Sequence, residues 1–146
     1  MKGRIIVGAV VCVCVAILLA FLFVVNMEGA QSLGLGFSLL FALGLLLFPL
    51  SGLQLGTWVG GSAWLFGGFM GGLVCSGYKR AIVMSAVSIL SYIVVVFLTA
   101  GRSILAYWPV LADLSVLFPD LLVAFGITVV GALVGARMTK GKPLTK

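Results

Sequence analysis

Four stretches of this sequence run for eighteen residues or more without a charged side chain: Ile5–Val25, Leu33–Leu50, Leu53–Ser76 and Ala81–Ala100. About 20 apolar residues, coiled as a helix, match the hydrocarbon thickness of a bilayer. Inside a bilayer the backbone must satisfy its own hydrogen bonds, and a helix does so within a single segment. The sequence therefore predicts an all-α integral membrane protein, a small bundle of about five transmembrane helices. The predicted spans are 5–25, 33–50, 54–76, 81–100 and 120–137, forming one membrane domain over 1–146 with a basic C-terminal tail at 138–146. Composition agrees, at 63% hydrophobic and 8% charged in 146 residues, which leaves no length for a separate soluble domain. The start Met1–Arg4 resembles the charged end of a signal peptide. The 21 apolar residues that follow are too long for such a peptide's core, and we read them as a span.

The segment 53–76, LQLGTWVGGSAWLFGGFMGGLVCS, is the expected packing spine. On a helix, Gly56, Gly60, Trp64, Gly68 and Gly72 fall in one row spaced by four, and Gly67 and Gly71 in the next. In water each glycine costs a helix about 1 kcal/mol relative to alanine. In lipid, small residues at that spacing let a second helix approach closely, and dispersion replaces the missing hydrophobic drive. Gly131 and Gly135 repeat the pattern near the C-terminus and are the natural mate of the spine. These faces serve either packing within the chain or association with another subunit.

Between the spans lie short polar breaks. Asn26–Ser32 carries Glu28, and Gly77–Arg80 is a basic turn. Beyond Gly101, the pattern of Leu111, Leu114, Leu117 and Phe118 predicts a short interfacial amphipathic helix at about 109–118. Tyr107 and Trp108 are the aromatic anchors expected at headgroup depth. Within 81–100, Ser85, Ser88 and Ser91 recur every third residue, with Tyr92 beside them. Their hydroxyls are expected to bond their own helix or a neighbour; a hydrophilic lining for a permeation path is the other reading. Cys12, Cys14 and Cys75 are expected as free, buried thiols, since no histidine exists to complete a metal set.

Charge sets orientation. Five spans with the N-terminus outside place Lys79, Arg80, Arg137, Lys140, Lys142 and Lys146 inside, against Lys2, Arg4 and Arg102 outside. An alternative makes 33–55 a re-entrant hairpin, broken near Gly44, Pro49 and Gly52. Four spans then put eight of the nine basic residues inside and leave Arg102 outside. Five spans is our first reading, and both place the C-terminus in the cytoplasm of what we take to be a prokaryotic cell.

The three acids, Glu28, Asp113 and Asp120, all fall at predicted interfaces, and no predicted span carries an ionisable group at its centre. Coupled transporters and membrane enzymes ordinarily keep one there. No nucleophile–base arrangement and no phosphate-cradling loop is present, and the basic residues form no nucleic-acid patch. The expected function is thus a non-catalytic structural or accessory subunit of a homo-oligomer or larger membrane complex. The alternatives are a small oligomeric channel or facilitator for an uncharged solute, and a lipid- or pigment-binding subunit with its groove beside Trp58 and Trp64. No cofactor is expected beyond bound lipid, and the first partner is the bilayer itself.

Overall fold

The computed structural model describes residues 2–27, 34–54, 57–107 and 114–140. Among these residues six helices follow one another: α1 Lys2–Asn26, α2 Leu35–Leu47, α3 Pro49–Gln54, α4 Val59–Cys75, α5 Tyr78–Tyr107 and α6 Leu114–Thr139. Three of them are long and apolar enough to cross a membrane, over Gly3–Asn26, Tyr78–Leu98 and Leu117–Thr139; Leu35–Leu47 and Val59–Cys75 are shorter apolar helices. No strand occurs among the described residues.

The predicted span 33–50 is not one helix. It divides at Phe48, whose φ of −123° and ψ of 62° leave the helical region. The cause is Pro49, which lacks an N–H and disfavours helical geometry in the residue before it. The predicted start of the next span, residue 54, belongs to α3, and α4 begins only at Val59. The helix that carries the predicted span 81–100 is longer than that span at both ends, while its apolar crossing stretch is Tyr78–Leu98. Helix α5 takes in the basic turn from Tyr78 and continues through Gly101 and Arg102 to Tyr107.

The separate interfacial helix expected at 109–118 is also corrected. Residues 114–118 form the first turns of α6 and run unbroken through Pro119. Six residues into its helix, a proline forfeits a single backbone bond near the end, which the remaining turns outweigh. Residues 109–113 and Trp108 lie outside the described residues, as does Gly56.

Contacts between helices fix their directions. Gly67 lies against the Cys12 backbone and Gly71 against that of Gly8, so α1 and α4 are antiparallel. Gly68 meets Thr128 and Gly72 meets Ala132, so α4 and α6 are parallel. The tight turn at Ser76–Gly77, with Ser76 left-handed at φ 48°, sends α5 back along α4. The start of α1, the α4–α5 turn and the end of α6 therefore share one end of the bundle. The end of α1 and the start of α4 share the other, so the segment carrying α2 and α3 leaves from and returns to the same end.

Large side chains such as Leu46, Leu47, Trp64 and Tyr92 are buried in and around α2, but along α1 and α6 the usual rule is inverted. Ala9, Cys12, Ala16 and Ala20 of α1 are buried, as are Ala124, Thr128, Ala132 and Ala136 of α6. Large side chains such as Leu18, Leu22, Phe66, Leu90, Leu98 and Val130 point outward. Without water to drive large apolar groups inward, small residues go where backbones meet and large ones face lipid.

Candidate functional site

Two features are built rather than incidental: a clamp on the α2–α3 break, and an open groove between α4 and α6.

In an unbroken helix the Leu50 N–H would bond the Leu46 carbonyl. Here the two are parted. The Leu46 oxygen accepts from Trp64 Nε1 at 2.8 Å, while the Leu50 N–H donates to Asp120 Oδ1 at 2.6 Å. Asp120 also accepts from the Ser51 N–H at 3.0 Å and, on Oδ2, from the Ser51 hydroxyl at 2.7 Å. The carboxylate thus caps the first turn of α3 from a neighbouring helix, favourably placed at the positive end of that turn. Tyr92 donates to the Leu43 carbonyl at 2.6 Å and meets Trp64 edge-on, with centroids 5.2 Å apart. Proline has no N–H to offer the Leu45 oxygen, and that oxygen lies against Gly60, where a methyl group would not fit.

Asp120 is the residue whose place sequence reasoning misjudged. We expected it to open its own helix; that helix begins at Leu114, and Asp120 is buried and caps α3 instead. The signal was present as an apolar helix broken at Pro49, which needs an acceptor for the N–H groups that follow.

The glycine faces are consumed within the chain. Gly60, Gly67, Gly68, Gly71 and Gly72 of α4 each meet backbone of α1, α2, α3 or α6. Gly131 meets Leu65 and Phe69, and Gly135 meets Phe69 and Leu73. Ser85 and Ser88, both buried, donate to Ala81 O at 2.9 Å and Met84 O at 2.8 Å on their own helix. Tyr92 is buried in the clamp, so these three side chains line no path through the protomer. Ser91 is exposed, on a groove of about 200 Å³ between α1 and α5 that also includes Cys14. Cys14 departs from the expectation of burial, whereas Cys12 and Cys75 are buried, and all three are free. Two residues after Cys12, Cys14 falls on the lipid-facing side of α1. Tyr107 ends α5, and its side chain lies outside the described residues. Among the described residues no buried side-chain nitrogen or oxygen lacks a hydrogen-bond partner.

The second groove, of about 530 Å³, runs between α4 and α6 with Trp58, Gly61, Leu65, Gly126, Ile127 and Val130 among its walls. Trp58 stands at it 75% exposed. A methyl built on Gly61 would touch only the tip of Ile127 at 3.6 Å, and one on Gly126 would touch nothing. Trp64, expected beside this groove, is turned away from it into the clamp.

These features define a helical integral membrane protein, by the length and apolar character of its helices and a mean hydropathy of +1.36. No protein-family model, curated protein or solved structure matches the chain.

Proposed function

We propose that the chain is a non-catalytic subunit of a membrane assembly, and that the α4–α6 groove receives a transmembrane helix of its partner. The observation that carries this is a contrast between glycines. Those at the α1–α4 and α4–α6 contacts are filled by backbone of the same chain, while Gly61 and Gly126 open onto the groove. Helices associate in lipid where small residues permit close approach, and Gly61 and Gly126 on two packed helices offer such a surface outward together. Asp120, Trp64 and Tyr92 are engaged in holding α2 and α3, and Ser85, Ser88 and Thr128 bond their own helices, which fits a structural role better than a reactive one.

In this reading α1, α4, α5 and α6 cross the membrane and α2–α3 does not. A helix of 13 residues reaches only about 20 Å, and the segment returns to the end it left. Both termini are cytoplasmic, which puts eight of the nine basic residues on that side of a prokaryotic plasma membrane.

The test is mass determination on the chain extracted from its native membrane in mild detergent, beside the double variant Gly61→Leu/Gly126→Leu. The expected result is a defined complex larger than the 15.2 kDa chain, reduced to the chain alone by the double substitution with helix content unchanged. An assembly that survives the substitution intact would sink the groove as its docking site. A second reading, a lipid chain in the same groove, draws on Trp58, an aromatic of the kind that marks headgroup depth. It replaces the first if the native chain emerges alone and carries lipid that the double variant has lost.

A further inference from the structure

The end of the bundle opposite the clamp is basic, with no acid beside it among the described residues. Lys2 and Arg4 lie in the first turn of α1, Lys79 and Arg80 in that of α5, Arg137 lies in the last turn of α6 and Lys140 follows its end; segments 2–8, 73–82 and 133–140 contain no acid. These charges are drawn together, not merely placed on one side. Arg4 Nη1 donates to Ser76 Oγ at 3.0 Å, fastening the start of α1 to the α4–α5 turn. Lys140 Nζ sits 4.6 Å from the centroid of the Tyr78 ring, fastening the end of α6 to the start of α5. Arg4 and Arg80 both lie within electrostatic reach of Cys75. Lys79, Arg137 and Lys140 are exposed.

We infer that this end is a binding surface for the anionic headgroups of phospholipids in the adjoining leaflet. Arg4, Lys79, Arg80, Arg137 and Lys140 adjoin apolar runs at Ile5, Ala81 and Ala136, where side chains of this kind carry their charge to headgroup depth. Orientation alone asks only that the charges lie on one side. Here guanidinium and ammonium groups from three helices gather about one turn with no carboxylate beside them among the described residues, and a phosphodiester supplies that countercharge. Arg and Lys donors pair well with phosphate oxygens, and an anionic leaflet rewards each such residue near its surface. The inference does not depend on what fills the α4–α6 groove.

The experiment is native mass spectrometry of the full chain after equilibration in detergent micelles with equal amounts of phosphatidylglycerol and phosphatidylcholine. Retained lipid should favour phosphatidylglycerol by about fivefold or more. The variant Arg4→Gln/Lys79→Gln/Arg80→Gln/Lys140→Gln should bring the ratio close to unity, while Arg102→Gln leaves it at the native value. Should the quadruple variant misfold by circular dichroism, Lys79→Gln and Lys140→Gln singly, both at exposed positions, should each lower the ratio. Equal retention of the two lipids by the native chain would overturn the inference. So would loss of the preference on adding excess inorganic phosphate, which would mark a site for the free anion. Equal retention together with an acidic protein that co-purifies only when the four basic residues are intact would reassign the surface to that protein.

Discussion

Trp64 and Asp120 share the two halves of one missing backbone hydrogen bond. Pro49 ends α2 and restarts the chain as α3, so the Leu46 carbonyl and Leu50 N–H that would have met are separated; Trp64 donates to the first and Asp120 accepts from the second. Each supplies at a helix break what the bilayer cannot, since an orphaned backbone group there has no water to turn to.

Replacing Asp120 with alanine should therefore be among the most damaging single changes in the chain. It orphans the Leu50 and Ser51 N–H groups together with the Ser51 hydroxyl, and each unsatisfied buried group costs about 1–3 kcal/mol. Asp120→Asn keeps one carbonyl oxygen for the two N–H groups and forfeits the negative charge and the second acceptor, so it should fall between alanine and the native residue. Thermal unfolding in detergent, followed by circular dichroism, should rank native, Asn, Ala in falling midpoint. An alanine variant as stable as the native chain would show that α3 does not need its cap.

Trp64→Phe and Tyr92→Phe test the other side of the clamp with the aromatic volume nearly kept. Each deletes one hydrogen bond to an α2 carbonyl. Bonds between helices in a membrane average about 0.6 kcal/mol, with values up to about 1.7, so each variant should lose about 1 kcal/mol. Tyr92→Phe removes a donor from Leu43 O and leaves the edge-on contact with Trp64 in place. Trp64→Phe also shortens the ring, and should cost slightly more. Protease cleavage between α2 and α4 should quicken in both, because the bonds lost are the ones tying α2 to the bundle.

Glycines that look alike in sequence should differ sharply under substitution. Gly68→Leu and Gly72→Leu drive a side chain into the backbone of Thr128 and Ala132 and should abolish the folded state, seen as loss of a monodisperse species in detergent. Gly61→Ala and Gly126→Ala meet almost nothing. Each replaces a poor helix former with the best one and should hold stability or raise it by up to about 1 kcal/mol. Equal damage at all four positions would contradict the packing described here.

The apolar runs, the glycine spine and the polar breaks made the helical membrane class and the small-residue contacts readable from sequence, because a bilayer leaves so few backbone choices. What was not readable came from local chemistry with a distant partner. Pro49 announced a break, and nothing nearby in sequence announced that Asp120, seventy residues on from Leu50, would cap the restarted helix. The same-side return of α2–α3 depends on the antiparallel pairing of Gly67 and Gly71 with α1, a tertiary fact that hydropathy does not encode. Helix α5 runs on past its apolar crossing stretch through Gly101 and Arg102 to Tyr107, an extension that the loss of apolar character after Ala100 does not reveal.

The route of the chain can be read directly with a membrane-impermeant maleimide on intact cells and on inverted vesicles, using single cysteines in a background where Cys12, Cys14 and Cys75 are replaced by Ala. Met27 follows α1, and Trp58 precedes α4. If α2–α3 returns to its starting side, Met27→Cys and Trp58→Cys label from the same side of the membrane, and Lys79→Cys and Lys140→Cys label from the other. Five crossings would instead put Met27 and Trp58 on opposite sides, with Met27 joining Lys79. Exposure at the four positions is sufficient for reaction, with Trp58 75% and Met27 38% exposed, so sidedness alone decides the pattern. Adding Lys2→Cys completes the test: in the four-crossing route it labels with Lys140, and in the five-crossing route it labels opposite to it.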